Sequence, residues 1–527
     1  MPRSRTRVRA GAAALALCAT TALAGPAVAQ EGPAAAQPGP AAAQPGPAVA
    51  QPGPAAAQPA AGCLDPGIPL SAEESRLVAY LPDAADPTVA AGATYARTII
   101  EGGGFGGYTA SLTEALCRTR TLDAATRLAQ RSGQALWDAA VRRAQGHGAV
   151  RGDLPASDDR PLYWTRVEGM AALRQWDPRG GLTDEERSGL VETFEKAARG
   201  MDDIDLPRSR NAVRVLVSGF DVYTLDGGTT GSAPGTVGNN VRHGNPSGAT
   251  ALALDGTTYR TDDGRTAYIE AYTLPVSYPE FERGYLEDTV GPFMEPGPRQ
   301  VDASLTVSQA GGAQFNLEQW NSRYHGVSLG NDRTAPCPTV GGVPQLAVDN
   351  PGCNIQVVDR WGGGDGLTDP PQWTTATLPV AEMIAADTGA DVPRPPGDTW
   401  PDESEAFGVV WHTNYTQFPD CSSPVRETFN NPPPVTYPPT TPPVPPAEGS
   451  CSYSGGGGNY LSNESAYRNT LLRDRAGLDI PAGHIHTPDM QHFETDFAVS
   501  DPTFDAWRTA IVAQGANLVH AVADTVD

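Results

Sequence analysis

Gly455-Gly456-Gly457-Gly458-Asn459-Tyr460-Leu461-Ser462-Asn463-Glu464, followed further on by Gly483-His484-Ile485-His486-Thr487-Pro488, is the stretch whose reading decides the fold. Four glycines make a turn, and the polar start that follows, with Tyr467, Leu471 and Leu472 at helical spacing, predicts a helix. A short strand carrying histidine comes next. Ser462 then lies in the first helical turn, where unpaired backbone N–H groups and the positive end of the helix dipole stabilise negative charge on its oxygen. A histidine on the following strand is placed to take its proton. Two readings stand side by side: a Ser–His nucleophile and base, or a capping serine and a partly buried histidine.

Working outward, the 527 residues exceed one small core and predict two or three domains. A formal net charge of -24 argues against nucleic-acid or anionic-membrane partners, which need a basic footprint. Arg3, Arg5, Arg7 and Arg9, an apolar run from Ala12 to Ala24, and Ala27-Val28-Ala29 read as a signal peptide over residues 1–29. Cys18 belongs to that run. No other stretch is long and apolar enough to span a bilayer, so the mature chain is expected to be secreted or associated with the cell envelope. Residues 30–62 repeat Gln-Pro-Gly-Pro-Ala-Ala-Ala with variation, lack large apolar side chains, and read as a disordered spacer. In an exported protein the six remaining cysteines favour disulfides, with local pairs Cys63–Cys117, Cys337–Cys353 and Cys421–Cys451 expected.

Residues 63–207 carry helical patterns. Ser71 with Glu74 and Thr183 with Glu186 fit capping boxes, and Leu190, Val191, Phe194, Ala197 and Ala198 form an apolar stripe. This predicts a small all-helical domain whose role the sequence does not state. At Val213 the pattern changes. Val213–Ser218, Tyr268–Tyr272 and Ala303–Val307 read as strands and helical stretches separate later ones, which predicts a three-layer α/β/α domain with a mostly parallel mixed sheet over residues 211–527. Sites in such sheets lie where strands end. Residues 227–240 and the Pro-rich residues 393–449 read as insertions, with Phe407–His412 an extra edge strand inside the second.

Several motifs, in order, resemble the cysteine-type pyroglutamyl peptidase I family, enzymes that remove N-terminal pyroglutamate from peptides. They are Val215-Leu216-Val217-Ser218-Gly219-Phe220-Asp221, Asn245-Pro246-Ser247, Leu274-Pro275-Val276, Gln309-Ala310-Gly311-Gly312 followed by Glu318, Thr377-Leu378-Pro379-Val380, and the opening stretch. The resemblance covers residues 213–527 and implies a catalytic triad of Ser462, His486 and Glu318, with His484, on the same strand face, the competing base. It further implies a pocket in which Phe220 and Tyr223 stack on the lactam ring, Tyr460 and Leu461 are apolar neighbours, and Asn245 and the Gln309 region supply polar contacts. The implied partner is a peptide with N-terminal pyroglutamate. No cofactor is implied, and an oligomer is compatible with the resemblance.

The chain departs from the family at the nucleophile, where serine replaces cysteine. A serine must lose its proton during attack, with His486 as base and Glu318 aligning it. The family's arginine after the glutamate falls near Ser328, with Arg323 and Arg333 nearby, and the first loop is altered at Val222-Tyr223-Thr224-Leu225. Two other classes compete. One is an inactive relative that binds peptides at the envelope. The other is a metal hydrolase using His484, His486, His492 and Glu494.

Overall fold

The computed structural model describes residues 62–83, 90–148, 152–230, 237–324, 326, 328–335, 369–385, 407–423, 425–434, 436–490, 493 and 496–526. By its internal contacts the chain divides into Met1–Gln51 and Pro52–Asp527, and all described residues belong to the second unit. The expected signal peptide and nearly all of the spacer lie outside the described residues, as do Cys337, Cys353, His492 and Glu494.

Among the described residues the N-terminal part holds an antiparallel strand pair, β1 (Tyr80–Pro82) and β2 (Ala90–Thr94), and five α-helices. These are α1 (Tyr95–Gly102), α2 (Tyr108–Arg118), α3 (Leu122–Ala144), α4 (Arg160–Arg174) and α5 (Asp184–Ala197). The capping box predicted at Thr183 forms in full: the Thr183 hydroxyl accepts from Glu186 N and the Glu186 carboxylate accepts from Thr183 N. Ser71 and Glu74 make the same reciprocal pair ahead of a short 3-10 turn.

Next come β3 (Ala212–Phe220), α6 (Pro246–Leu254), β4 (Thr257–Arg260), β5 (Thr266–Leu274), α7 (Tyr278–Glu282), α8 (Tyr285–Met294), β6 (Ala303–Gln309), β7 (Gln314–Glu318) and β8 (Trp320–Ser322). The C-terminal part adds β9 (Trp373–Thr375), α9 (Val380–Ala385), β10 (Gly408–His412), β11 (Tyr415–Phe418), β12 (Glu427–Phe429), β13 (Cys451–Ser454), α10 (Leu461–Ala476), β14 (Ala482–Thr487) and α11 (Pro502–Thr525). A seven-stranded sheet runs in the order β10-β7-β14-β6-β3-β5-β4. Its pairs are parallel except β14 with β7 and β4 with β5, so the mixed, mostly parallel α/β fold expected from the sequence is the one observed.

Period-two alternation sends the two sides of each strand into different cores. Val213, Val215, Val217, Leu305, Val307, Leu317 and Ile485 meet α6, α9 and α11, whereas Leu216, Phe220, Tyr272 and Leu274 meet α7, α8 and Leu461 of α10. Strand β3 is buried along its whole length, which explains its nearly unbroken apolar run.

The helical part packs directly on the α/β part. Leu252 of α6 joins the core of α2–α5, and Trp137 Nε1 donates to Asp255 Oδ2 at 2.9 Å. Arg166 of α4 and Arg199 both bind Asp221 Oδ2, at 2.6 and 2.7 Å, just beyond the end of β3. The expected disulfides Cys63–Cys117 and Cys421–Cys451 form, with Cα separations of 5.3 and 5.2 Å. Among the described residues no helix is long and apolar enough to cross a membrane.

Candidate functional site

Three strands of the sheet bring one carboxylate and two imidazoles into a row. Glu318 ends β7, His486 lies near the end of β14 and His412 ends β10; His412 and Glu318 are register partners. Glu318 Oε1 accepts from His486 Nδ1 at 2.7 Å, and Oε2 accepts from His412 Nδ1 at 2.6 Å. Burial pushes the Glu318 carboxyl upward, but His412 and then His486 outweigh it and hold the group below the usual carboxylate range. An ionised carboxylate only accepts, so both Nδ1 atoms carry the proton and the Nε2 atom of His486 is left as its basic nitrogen.

The serine-bearing helix lies over the same sheet face. Ser304 and Asn469 show this directly: Ser304 Oγ donates to Asn469 Oδ1 of α10, and Thr306 and Ser308, in phase with Ser304 along β6, pair in register with His484 and His486. The start of α10 is fixed by three residues. Leu461 is buried in the core with Phe220, Asn463 exchanges hydrogen bonds with the Ser322 backbone, and Glu464 pairs with Arg468. Ser462, between them, is half-buried in the first turn. The N-cap is Tyr460, without a side-chain cap bond, so Ser462 does not cap the helix. Its hydroxyl forms no hydrogen bond among the described residues.

The glycine run explains itself at Gly456. A Cβ there would stand 1.9 Å from Glu318 Oε2 and 3.3 Å from His412 Nδ1, so only glycine lets the loop close over the row.

His484 competes poorly for the role of base. Its Nδ1 is 2.7 Å from Thr306 Oγ1 and its Nε2 2.8 Å from Ser308 Oγ, so both ring nitrogens are engaged. Burial first, then His486, depress its pKa well below the usual histidine value, and it stays neutral. Of these two bonds one is donated by the ring N–H, and the other occupies the single lone pair that a metal would need on His484.

Of the expected pocket residues, Phe220 is buried and stacks on Phe281 at 6.1 Å. Tyr223 and Gln309 come together: Gln309 Nε2 donates to the Tyr223 hydroxyl at 2.9 Å and to Asp489 Oδ1 at 2.7 Å, while Gln309 Oε1 is buried without a partner among the described residues. Burial, then Asp489, raises the Tyr223 phenol, which stays protonated. Tyr460 meets Tyr278 edge-on at 5.9 Å and donates to Leu329 O. Leu461 is core. Asn245 is the N-cap of α6, accepting from Ser247 N and donating to Asp221 O, which ties α6 to the loop after β3. Arg333 pairs with Asp226 and Arg323 binds Pro370 O.

Sequence reasoning did not single out His412. It sits on the predicted edge strand, but its partner is 94 positions away and nothing in the local pattern says which face it takes.

Fold and site together define a three-layer α/β protein in which a His–Glu–His row lies on the sheet face covered by a helix with a serine in its first turn. The chain belongs to the PA0049 family: the family described as PA0049, C-terminal domain, matches residues 214–491, and PA0049 N-terminal domain matches residues 55–195. The Pseudomonas aeruginosa relative, described as uncharacterized protein PA0049, is 44% identical over 502 residues, 87% of this chain and 90% of that one. Among solved structures, pyrrolidone carboxyl peptidase of Pyrococcus furiosus is similar over 53% of this chain and 82% of its own, at 15% identity and a TM-score of 0.28. Pyroglutamyl peptidase I of Bacillus amyloliquefaciens is similar over 58% and 97%, at 15% identity and a TM-score of 0.30.

Proposed function

We propose that this chain is an exported serine hydrolase that releases N-terminal pyroglutamate from peptides. The observation that carries the reading is the 2.7 Å bond from His486 Nδ1 to a buried, ionised Glu318, on the sheet face covered by the helix whose first turn holds Ser462. Ser462 Oγ attacks the carbonyl of the bond after pyroglutamate, and His486 Nε2 takes its proton and hands it to the departing amine. Glu318 stabilises the imidazolium through Nδ1–H. First-turn amides of α10, which lack intrahelical partners, stabilise the oxyanion. Water then cleaves the acyl-serine with the same imidazole as base. Pyroglutamate is a neutral lactam, and the apolar walls near Phe220 and Tyr460, with the unpartnered Gln309 oxygen as an acceptor for a ring N–H, suit it without any charge. The two disulfides support an oxidising compartment, where a serine avoids the oxidation that threatens a reactive thiol.

The test is hydrolysis of a chromogenic pyroglutamyl amide by the purified protein. Turnover that survives thiol alkylation and chelation and disappears in Ser462→Ala supports the reading; unchanged turnover in that variant refutes it. One observation favours the alternative of a binding protein: the Ser462 hydroxyl is not hydrogen-bonded to His486 among the described residues. In that case the wild type is inert but retains a pyroglutamyl peptide, and Ser462→Cys gains activity.

A further inference from the structure

The second insertion places His412 against the catalytic carboxylate, and the mechanism above does not use it. Glu318 is 0% exposed in its side chain, so both of its oxygens need partners inside the protein. Oε1 faces His486 and Oε2 faces His412. The Gly456 backbone closes the remaining side of Oε2, since a Cβ there would be 1.9 Å away. Strand β10 is the edge of the sheet and pairs there with β7 alone, so His412 arrives by a route separate from the strands that carry His486.

We infer that His412 is a positioning residue for the proposed triad: by holding Oε2 of Glu318, it turns the other carboxylate oxygen to His486. The inference rests on the Ser462–His486–Glu318 reading. Among the groups facing Glu318, His412 contributes most against the burial penalty, ahead of His486; His484, beyond them, is locked neutral between Thr306 and Ser308. Without His412, Oε2 would be an orphaned charge under a backbone loop, and protonation would be its relief. A protonated Glu318 no longer stabilises an imidazolium. The insertion thus supplies a fourth member to the site.

The experiment compares His412→Phe, which keeps ring volume without a donor, with His412→Asn, whose amide N–H stands near the position of Nδ1. Loss of one charge-assisted hydrogen bond lowers kcat by about 10- to 100-fold in His412→Phe with KM unchanged, and the Asn variant recovers most of it. Proton NMR gives a readout that needs no activity. Two imidazole N–H resonances bonded to the Glu318 carboxylate are expected in the wild type, besides that of His484 bonded to a hydroxyl; in His412→Phe one of the two vanishes and that of His486 moves. Should the Phe variant fail to fold, His412→Ala replaces it, with the same expectation. An unchanged kcat together with an unmoved His486 resonance overturns the role of His412. Activity that survives in Ser462→Ala instead overturns the triad itself, so the two failures are distinguishable.

Discussion

Glu318→Gln separates the chemical role of the carboxylate from its structural one. The amide keeps the shape but offers one acceptor and one donor where two N–H donors now point. One imidazole must lose its bond or move its proton to Nε2. If that is His486, the nitrogen that must accept the Ser462 proton is already occupied. A carboxylate-to-amide change of this kind lowers kcat by about 10⁴, or roughly 5 kcal/mol of transition-state stabilisation. Stability moves less: one hydrogen bond to a charged group is worth about 1.5–3 kcal/mol, partly offset because no buried charge remains. Activity is therefore expected to collapse in a protein that still folds. The pH dependence has a definite sign. The Glu318 carboxyl is depressed in the folded state, so its contribution is present above the unfolded value of about 4.3 and is lost as pH falls through the folded value. The gap in stability between wild type and Glu318→Gln should be largest near neutrality, begin to narrow below about pH 4 and close only as pH falls through the depressed folded value. Kinetics on a pyroglutamyl amide and denaturant unfolding at several pH values measure both. A variant within about threefold of wild-type kcat, less than 1 kcal/mol, would refute the assignment.

Gly456→Ala forces a methyl group onto Glu318 Oε2, and unfolding should show a loss of about 1–3 kcal/mol together with reduced kcat. Arg166→Ala leaves Asp221 short of one of its two arginines; breaking this buried pair should cost about 3–5 kcal/mol, and KM should rise because the loop with Phe220 and Tyr223 loosens. Replacing both Cys421 and Cys451 by serine opens a loop of 30 residues and should lower stability by roughly 3–4 kcal/mol in denaturant titration. A chain starting at Arg208 would expose Leu252 and leave Asp221 without Arg166 and Arg199, so it is expected to give no cooperative unfolding transition.

Local signals made much of this readable in advance. Strand β3 is a nearly unbroken apolar run buried on both faces, β5 and β6 alternate apolar with polar residues, and each appears within a few residues of its predicted span. The helix after the glycine run and the strand with two histidines follow from periodicity and turn chemistry, as do the two capping boxes. The helical domain over residues 63–207 is read in the sequence from its capping boxes and apolar stripes. In the described structure its helices share a core with α6 and clamp Asp221 through arginines, contacts that no sequence window contains.

The sequence by itself determined the α/β pattern, the helix that carries Ser462 and the strand that carries His484 and His486, because these depend on neighbours a few positions apart. Only the tertiary structure decided which histidine meets Glu318: both lie on one strand face and the register of β14 with β7 sets His484 directly opposite Glu318, yet the hydrogen bond runs diagonally to His486, because the ring of His484 is held between Thr306 and Ser308 of β6. It alone brought His412 to the other oxygen. That contact exists because a Pro-rich part of the chain adds a parallel edge strand, and strand pairing over such a distance is fixed by the register of the whole sheet and not by the residues beside it.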